Sequence, residues 1–423
     1  MFKLIEILLL LFPFVVTAQE AKKENLLTFY GFVRNDFYLD TYKGINAFQD
    51  VFYLFPNYIG IDANGKDINQ QTTANMLSIA TLGGVNINGP EIFGAKTSGV
   101  IEVDFAGKPE YYVIRLRKAY TLFSWAKTTL IVGQTWHPFW GNDAYPRVGA
   151  LNYGDPFQVF NRSPLVRVDY RAGDITFSAS GVYQQQYLSN GPIGMSNTYK
   201  RDAVIPETVL SLEYSKNGVT LGAGIDYNRI KPRVTTSGSG GIYVANECLN
   251  SLSYMAYGKY VNGKLMMLMK GYYGQNMTHL TMVGGYGVSH HDNLTGAETY
   301  TNYNSYSTLF DITYGNKWRP GLFLGYLKNL GSSNQLDHNA LDACGNPEVW
   351  GLGTNILNMY RISPSISYSL PKFLLTAEFE KTTAAYGTGQ FDFNNGLYTS
   401  THTVTNNGAR LIMTWFFDSR TMP

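Results

Sequence analysis

Between residues 209 and 227 apolar and polar side chains alternate. Leu210, Leu212 and Tyr214 share one face, and Leu221, Ala223, Ile225 and Tyr227 continue it beyond Lys216-Asn217-Gly218. Ser211, Glu213, Thr220, Gly222, Gly224 and Asp226 share the other. Successive strand side chains point to opposite faces, so this segment predicts a hairpin with one apolar and one polar face, closed by an Asn-Gly turn.

A soluble β-sandwich has the same alternation, and the connections distinguish the two architectures. Tight turns recur at Trp125 to Lys127, Ala172 to Asp174, Lys216 to Gly218, Asn262-Gly263, Asn316 to Arg319 and Leu370 to Lys372. Between them fall long polar stretches at 40–75, 138–162, 188–205, 234–248, 278–304, 331–357 and 388–406. Short turns at one end and long loops at the other are the rhythm of an outer-membrane barrel. Counting hairpins predicts an all-β, antiparallel transmembrane barrel of about 16 strands, from Leu27 to Phe417, as one domain over 27–423; barrels of 16 to 18 strands enclose an aqueous channel. The last strand, Ala409 to Phe417, turns Leu411, Met413, Trp415 and Phe417 outward and Arg410 and Thr414 inward, and is expected to close on the first.

The beginning of the chain gives the compartment. Lys3, an apolar run from Ile7 to Val16 and small residues at Thr17 and Ala18 read as a secretory signal peptide over 1–18, followed by a short segment over 19–26. The run is about half the ~20 residues a spanning helix needs. Charged residues are 15% of the chain, against roughly 25% in a typical soluble domain, and aromatics are also 15%, including 32 Tyr. That mixture suits an apolar outer belt with aromatic girdles around a polar lumen. A net charge of +2 gives no electrostatic basis for binding nucleic acid.

Charges recur on the face predicted to line the lumen. Arg34 and Asp36 share it with Tyr30; Glu102 and Asp104 alternate with Ile101, Val103 and Phe105; Arg115 and Arg117 alternate with Ile114 and Leu116; Arg167, Asp169 and Arg171 alternate with Val166, Val168 and Tyr170. Charged rings select ions in pores, and charges facing lipid are costly. Lys118 breaks the pattern by sharing parity with Leu116, which predicts snorkelling or a subunit contact. The loop from Pro138 to Arg162 carries Trp140, Asp143, Tyr145, Arg147, Asp155 and Phe160, and is long enough to fold inward and bring Arg147 against the arginine strands; the alternative is an external lid or subunit contact. The candidate solute-binding set is therefore Arg34, Arg115, Arg117, Arg147, Arg162, Arg167, Arg171, Glu102 and Asp104.

Other chemistry has little support. His290-His291-Asp292 lies in a polar loop with no second ligand cluster, and no catalytic triad assembles from local spacing, so neither a metal nor any other cofactor is expected. The Gly-rich runs 237–241 and 284–287 follow no strand-to-helix transition and read as external loops. Cys248 and Cys344, the only cysteines, fall in two such loops and are candidates for a disulfide.

Arg115 to Tyr120, Leu130 to Trp136 and Pro164 to Tyr170, with Gly31 to Asp36 upstream, resemble the DcaP-like family of trimeric outer-membrane porins, most strongly over 76–190. The resemblance implies a homotrimer, an inward constriction loop and a channel favouring small anions such as dicarboxylates, with Arg115, Arg117 and Arg167 in the matching motifs. The expectation is an outer-membrane porin of a Gram-negative bacterium, surrounded by lipid and passing small polar or anionic solutes by passive diffusion. An adhesin acting through its loops and a barrel enzyme of lipase type are the alternatives.

Overall fold

The computed structural model describes residues 26–47, 52–107, 113–342 and 345–417; the signal-peptide reading of 1–18 lies outside them. Sixteen antiparallel strands form the barrel. They are β1 (Leu27–Asp40), β2 (two pieces, Thr73–Leu77 and Leu82–Ile92), β3 (Ala95–Asp104), β4 (Arg115–Ser124), β5 (Thr128–Trp136) and β6 (Arg162–Ala172). The wall continues through β7 (Ile175–Val182), β8 (Glu207–Lys216), β9 (Val219–Ile230), β10 (Leu249–Asn262) and β11 (Leu265–Gln275). It ends with β12 (Glu298–Tyr314), β13 (Trp318–Ser332), β14 (Ile356–Leu370), β15 (Phe373–Asp392) and β16 (Leu397–Phe416). Each strand pairs with the next, and β16 returns to β1 in a register running from Phe32↔Phe416 to Asp40↔Gly408. Closure leaves no sheet edge in the bilayer, where unpaired backbone groups have no water to bond.

Alternation sets which face each residue takes. The β8–β9 hairpin pairs Leu210 with Ile225, Leu212 with Ala223 and Tyr214 with Leu221, and Leu210 and Leu221 are exposed on the outside. On β16 the outward set is Leu411, Met413, Trp415 and Phe417, while Arg410 and Thr414 are buried inside. Tyr170, Tyr260, Tyr314, Trp318 and Trp415 are exposed close to the tight turns, where amphipathic rings suit the membrane interface. Trp318 and Tyr368 have ring centroids 4.5 Å apart, with Lys317 Nζ 5.4 Å from the tyrosine ring.

Several stretches expected as loops are structured, including a hairpin of Gly44–Asn46 with Tyr53–Pro56 within 40–75 and a short helix, Thr198–Asp202, within 188–205. Residues 388–406 extend the β15–β16 pair into a tall ribbon that turns only at 393–396. Within 278–304, Gly284–His291 is a strand bonded to β12 on one side and to Val349–Leu352 on the other. The run 237–241 belongs to a hairpin of Thr235–Gly238 with Gly241–Val244. In the three stretches described last, polar residues or glycines interrupt the apolar alternation that marks a membrane strand, although backbone pairing continues. Cys248 is a free, half-buried thiol, and Cys344 lies outside the described residues.

Candidate functional site

The segment between β5 and β6 folds into the lumen. His137 starts it: its Nδ1 accepts the Phe139 N–H at 3.2 Å and caps a 3-10 turn over Pro138–Trp140. Beyond the turn, wall side chains bind the loop backbone at many points. Lys270 on β11 donates to the Trp140 and Ala144 carbonyls at 2.6 and 3.1 Å, and Tyr272 donates to the Phe139 carbonyl. Asp311 on β12 accepts the Arg147 N–H at 2.7 Å. Glu378 on β15 accepts the N–H groups of Gly149 and Ala150 at 2.6 and 3.0 Å, while Arg34 on β1 donates to the Gly149 carbonyl. Arg361 on β14 donates to the Asp155 carbonyl at 2.8 Å. Buried backbone groups need such partners, and here charged side chains supply them.

Apolar side chains fill the space these bonds enclose. Phe139, Trp140, Phe157 and Phe160 of the loop pack with Phe52, Leu54 and Phe55 of the β1–β2 connection and with Met277, Leu280 and Met282 beyond β11, all buried. Trp136 stacks on Trp140 with centroids 4.0 Å apart. Gly325 on β13 admits the Phe157 ring, since a Cβ there would lie 2.5 Å from it.

The predicted charges divide into committed and uncommitted groups. On β3 and β4, Arg115 forms two bonds to Asp104 at 3.0 and 2.6 Å, and Arg117 bridges Glu102 at 3.0 Å and Asp104 at 2.8 Å. Lys118 joins them 3.0 Å from Glu102 and therefore faces the lumen, contrary to its sequence parity. The cause is a β-bulge: pairing passes from Glu102↔Lys118 to Val103↔Leu116, leaving Arg117 as the extra residue, and a one-residue slip turns the remainder of β4 to the opposite face. Arg162 is fully buried, 4.7 Å from the Trp136 ring and 5.0 Å from that of Phe160, and donates to the Tyr187 hydroxyl at 2.9 Å. Arg167 pairs with Asp169 at 2.7 Å and reaches Asn142 on the loop. Arg171 bonds the Gly173 carbonyl at a tight turn, away from the loop.

Arg147 is placed differently from expectation. Asp311 holds its backbone on β12, and it shares a cavity with Arg34 and Arg319 and not with Arg115, Arg117 or Arg167. It lines a cavity of about 150 Å³ with Arg34, Arg319, Tyr145 and Tyr153, between the inserted loop and the strands β13 to β16 and β1. Arg34 is held by Asp36 through bonds of 2.5 to 3.1 Å. Among the described residues the guanidinium groups of Arg147 and Arg319 form no hydrogen bond or ion pair with the protein, although the Asp311 carboxylate acts on both from farther away. Arg319 was not singled out from the sequence because it sits at the edge of a tight turn. Its alternation with exposed Trp318 and Leu324 was the available signal.

No family model and no curated protein matches the chain. Solved structures do match its fold. The outer membrane channel DcaP of Acinetobacter baumannii superposes with a TM-score of 0.63 at 16% identity, covering 92% of this chain and 97% of that one. OmpT, an outer membrane protein of Vibrio cholerae, gives 0.55 at 11% identity over 94% and 100%. An anion-selective porin from Comamonas acidovorans gives 0.52 at 8% over 92% and 99%. At these identities the likeness is one of fold: the chain folds as a DcaP-like outer-membrane porin barrel.

Proposed function

We propose that this chain is a porin of a Gram-negative outer membrane, through which small polar solutes diffuse passively, with a preference for small anions such as dicarboxylates. The observation that carries the preference is the pair of uncommitted guanidinium groups, Arg147 and Arg319, beside Arg34 in the cavity between loop and wall. A guanidinium fork matches a carboxylate in plane and spacing, and a charge without a protein partner is the one a passing solute meets. Arg115 and Arg117 serve instead to neutralise Glu102 and Asp104, leaving that wall weakly cationic. A homotrimer fits this reading, since one of the matched OmpT structures is described as a trimer form.

Liposome swelling tests the proposal. Vesicles carrying the purified barrel are expected to swell with small dicarboxylates faster than with neutral sugars of similar mass. Failure of every solute below a few hundred daltons to enter would refute the porin reading.

A further inference from the structure

Four ionisable side chains meet where the inserted loop leaves the wall. His137 caps its first turn, His279 lies in the Met277–Leu280 turn, Glu207 opens β8 and Asp226 lies on β9. His137 Nε2 and His279 Nε2 stand 2.8 and 3.0 Å from the same Glu207 oxygen, Oε1. Ligand atoms of His137, Glu207 and Asp226 all lie within 4.8 Å of one another. No residue of the four is more than 2% exposed. Glu207 Oε2, Asp226 Oδ1 and His279 Nδ1 are buried without a hydrogen-bond partner. The neighbouring Lys200 Nζ is bonded to Asn228 Oδ1 and the Arg229 carbonyl. Of two adjoining buried carboxylates one keeps its proton unless a cation lies between them.

We propose that His137, Glu207 and Asp226 form a binding site for a divalent metal ion of the zinc class, with His279 holding Glu207 in place. One imidazole and two carboxylates, with water in the fourth position, are a donor set for such borderline ions, whereas calcium takes six or more oxygens. Zinc bonds of about 2.0–2.2 Å in a tetrahedron separate the donors by roughly 3.3 Å, between the 2.8 Å from His137 Nε2 to Glu207 Oε1 and the 4.8 Å that bounds the three donors. The metal replaces protons. In the hydrogen-bonded arrangement His137 Nδ1 accepts the Phe139 N–H, so its Nε2 carries the ring proton and donates to Glu207. When Nε2 binds the ion, that proton moves to Nδ1, the Phe139 N–H turns away, the one carboxyl proton of the Glu207–Asp226 pair leaves to solvent, and His279 keeps its Nε2 proton and its bond to Glu207. Metal occupancy is thereby coupled to the first turn of the loop, independently of any solute in the cavity.

The full barrel, purified in detergent and stripped with a chelator, is titrated with Zn²⁺ and with Co²⁺. One ion per chain is expected, with the visible absorption of four-coordinate cobalt and release of about one proton. Asp226→Asn should weaken binding by more than the roughly 10- to 100-fold that loss of a supporting contact produces. Heat-modifiable migration on gels reports that the barrel is intact. If Asp226→Asn does not fold, His137→Gln, a change outside the barrel strands, reads the same site. The double variant His290→Ala/His291→Ala should bind as the wild type does. Absence of stoichiometric binding, unchanged affinity in a folded site variant, or loss only in the loop double variant would overturn the assignment.

Discussion

Removal of Arg147 and Arg319 tests the cavity quantitatively. A sphere of about 150 Å³ has a radius of about 3.3 Å, so a guanidinium on its rim lies roughly 5 Å from an ion at the centre. At that distance in water each charge lowers the energy of an anion by about 0.8 kcal/mol, a factor of about 4 in local concentration, and two give about 15-fold. Water is the conservative choice of medium, since the cavity is only partly enclosed. Because potassium is freed of the repulsion as chloride loses the attraction, Arg147→Ala or Arg319→Ala alone should lower the chloride-to-potassium permeability ratio at least about 4-fold, and the pair at least about 15-fold. The assay is the reversal potential across a planar bilayer in a potassium chloride gradient with about 0.1 M on the dilute side. At 1 M salt on both sides the Debye length falls to about 3 Å, and conductance differences between variant and wild type should shrink. Neither side chain bonds to protein, so folding should be unaffected. A ratio unchanged within about 1.5-fold in the double variant would show that ions do not pass these groups, and the anion preference would then fall.

Three further outcomes are expected. Asp104→Ala leaves Arg115 and Arg117 without their shared carboxylate, and breaking a buried pair costs about 3–5 kcal/mol, so the folded form should give way at lower urea concentration; an unchanged midpoint would show that the cluster is well solvated. Gly325→Ala sets a Cβ 2.5 Å from the Phe157 ring, and overpacking of about 1–3 kcal/mol should displace the loop and alter single-channel conductance while the barrel still assembles; wild-type conductance would mean that the ring moves freely. Asp337, in the loop after β13, is held below the ordinary carboxylate range by the backbone N–H of Asn339, with the N–H of His291 adding to the effect. A depressed pKa stabilises above the unfolded value and is lost below it, so protease cleavage around 333–342 should rise as pH falls below about 4, and not on the alkaline side.

The barrel was legible in the sequence where membrane physics acts on every second residue. The β8–β9 hairpin could be read residue by residue, because lipid requires an apolar face and Asn217-Gly218 fixes the register. Lys118 was misplaced because the bulge at Arg117 arises from pairing with β3 and leaves no mark in β4 itself. The partners of Arg115 and Arg117 depend on that same register, so parity identified lumen charges without showing which were already neutralised. Arg147 was correctly placed on an inserted loop, yet the wall it meets is set by Asp311, 164 positions away. His137, Glu207 and His279 come from three separate connections and strands, with no spacing to link them.

The inserted loop gives this barrel three concentric shells: an apolar skin toward lipid, a polar layer along the inner wall, and a second apolar centre made of Trp140, Phe157, Phe160 and their neighbours. A solute following the barrel axis would have to dissolve in that centre. For the proposed porin the aqueous route therefore runs off-axis, within the polar layer, where a solute skirts the wall on one side and the loop backbone on the other. Such a path is wetted unevenly and has a handed sequence of contacts, so enantiomers of one small acid should cross it at different rates.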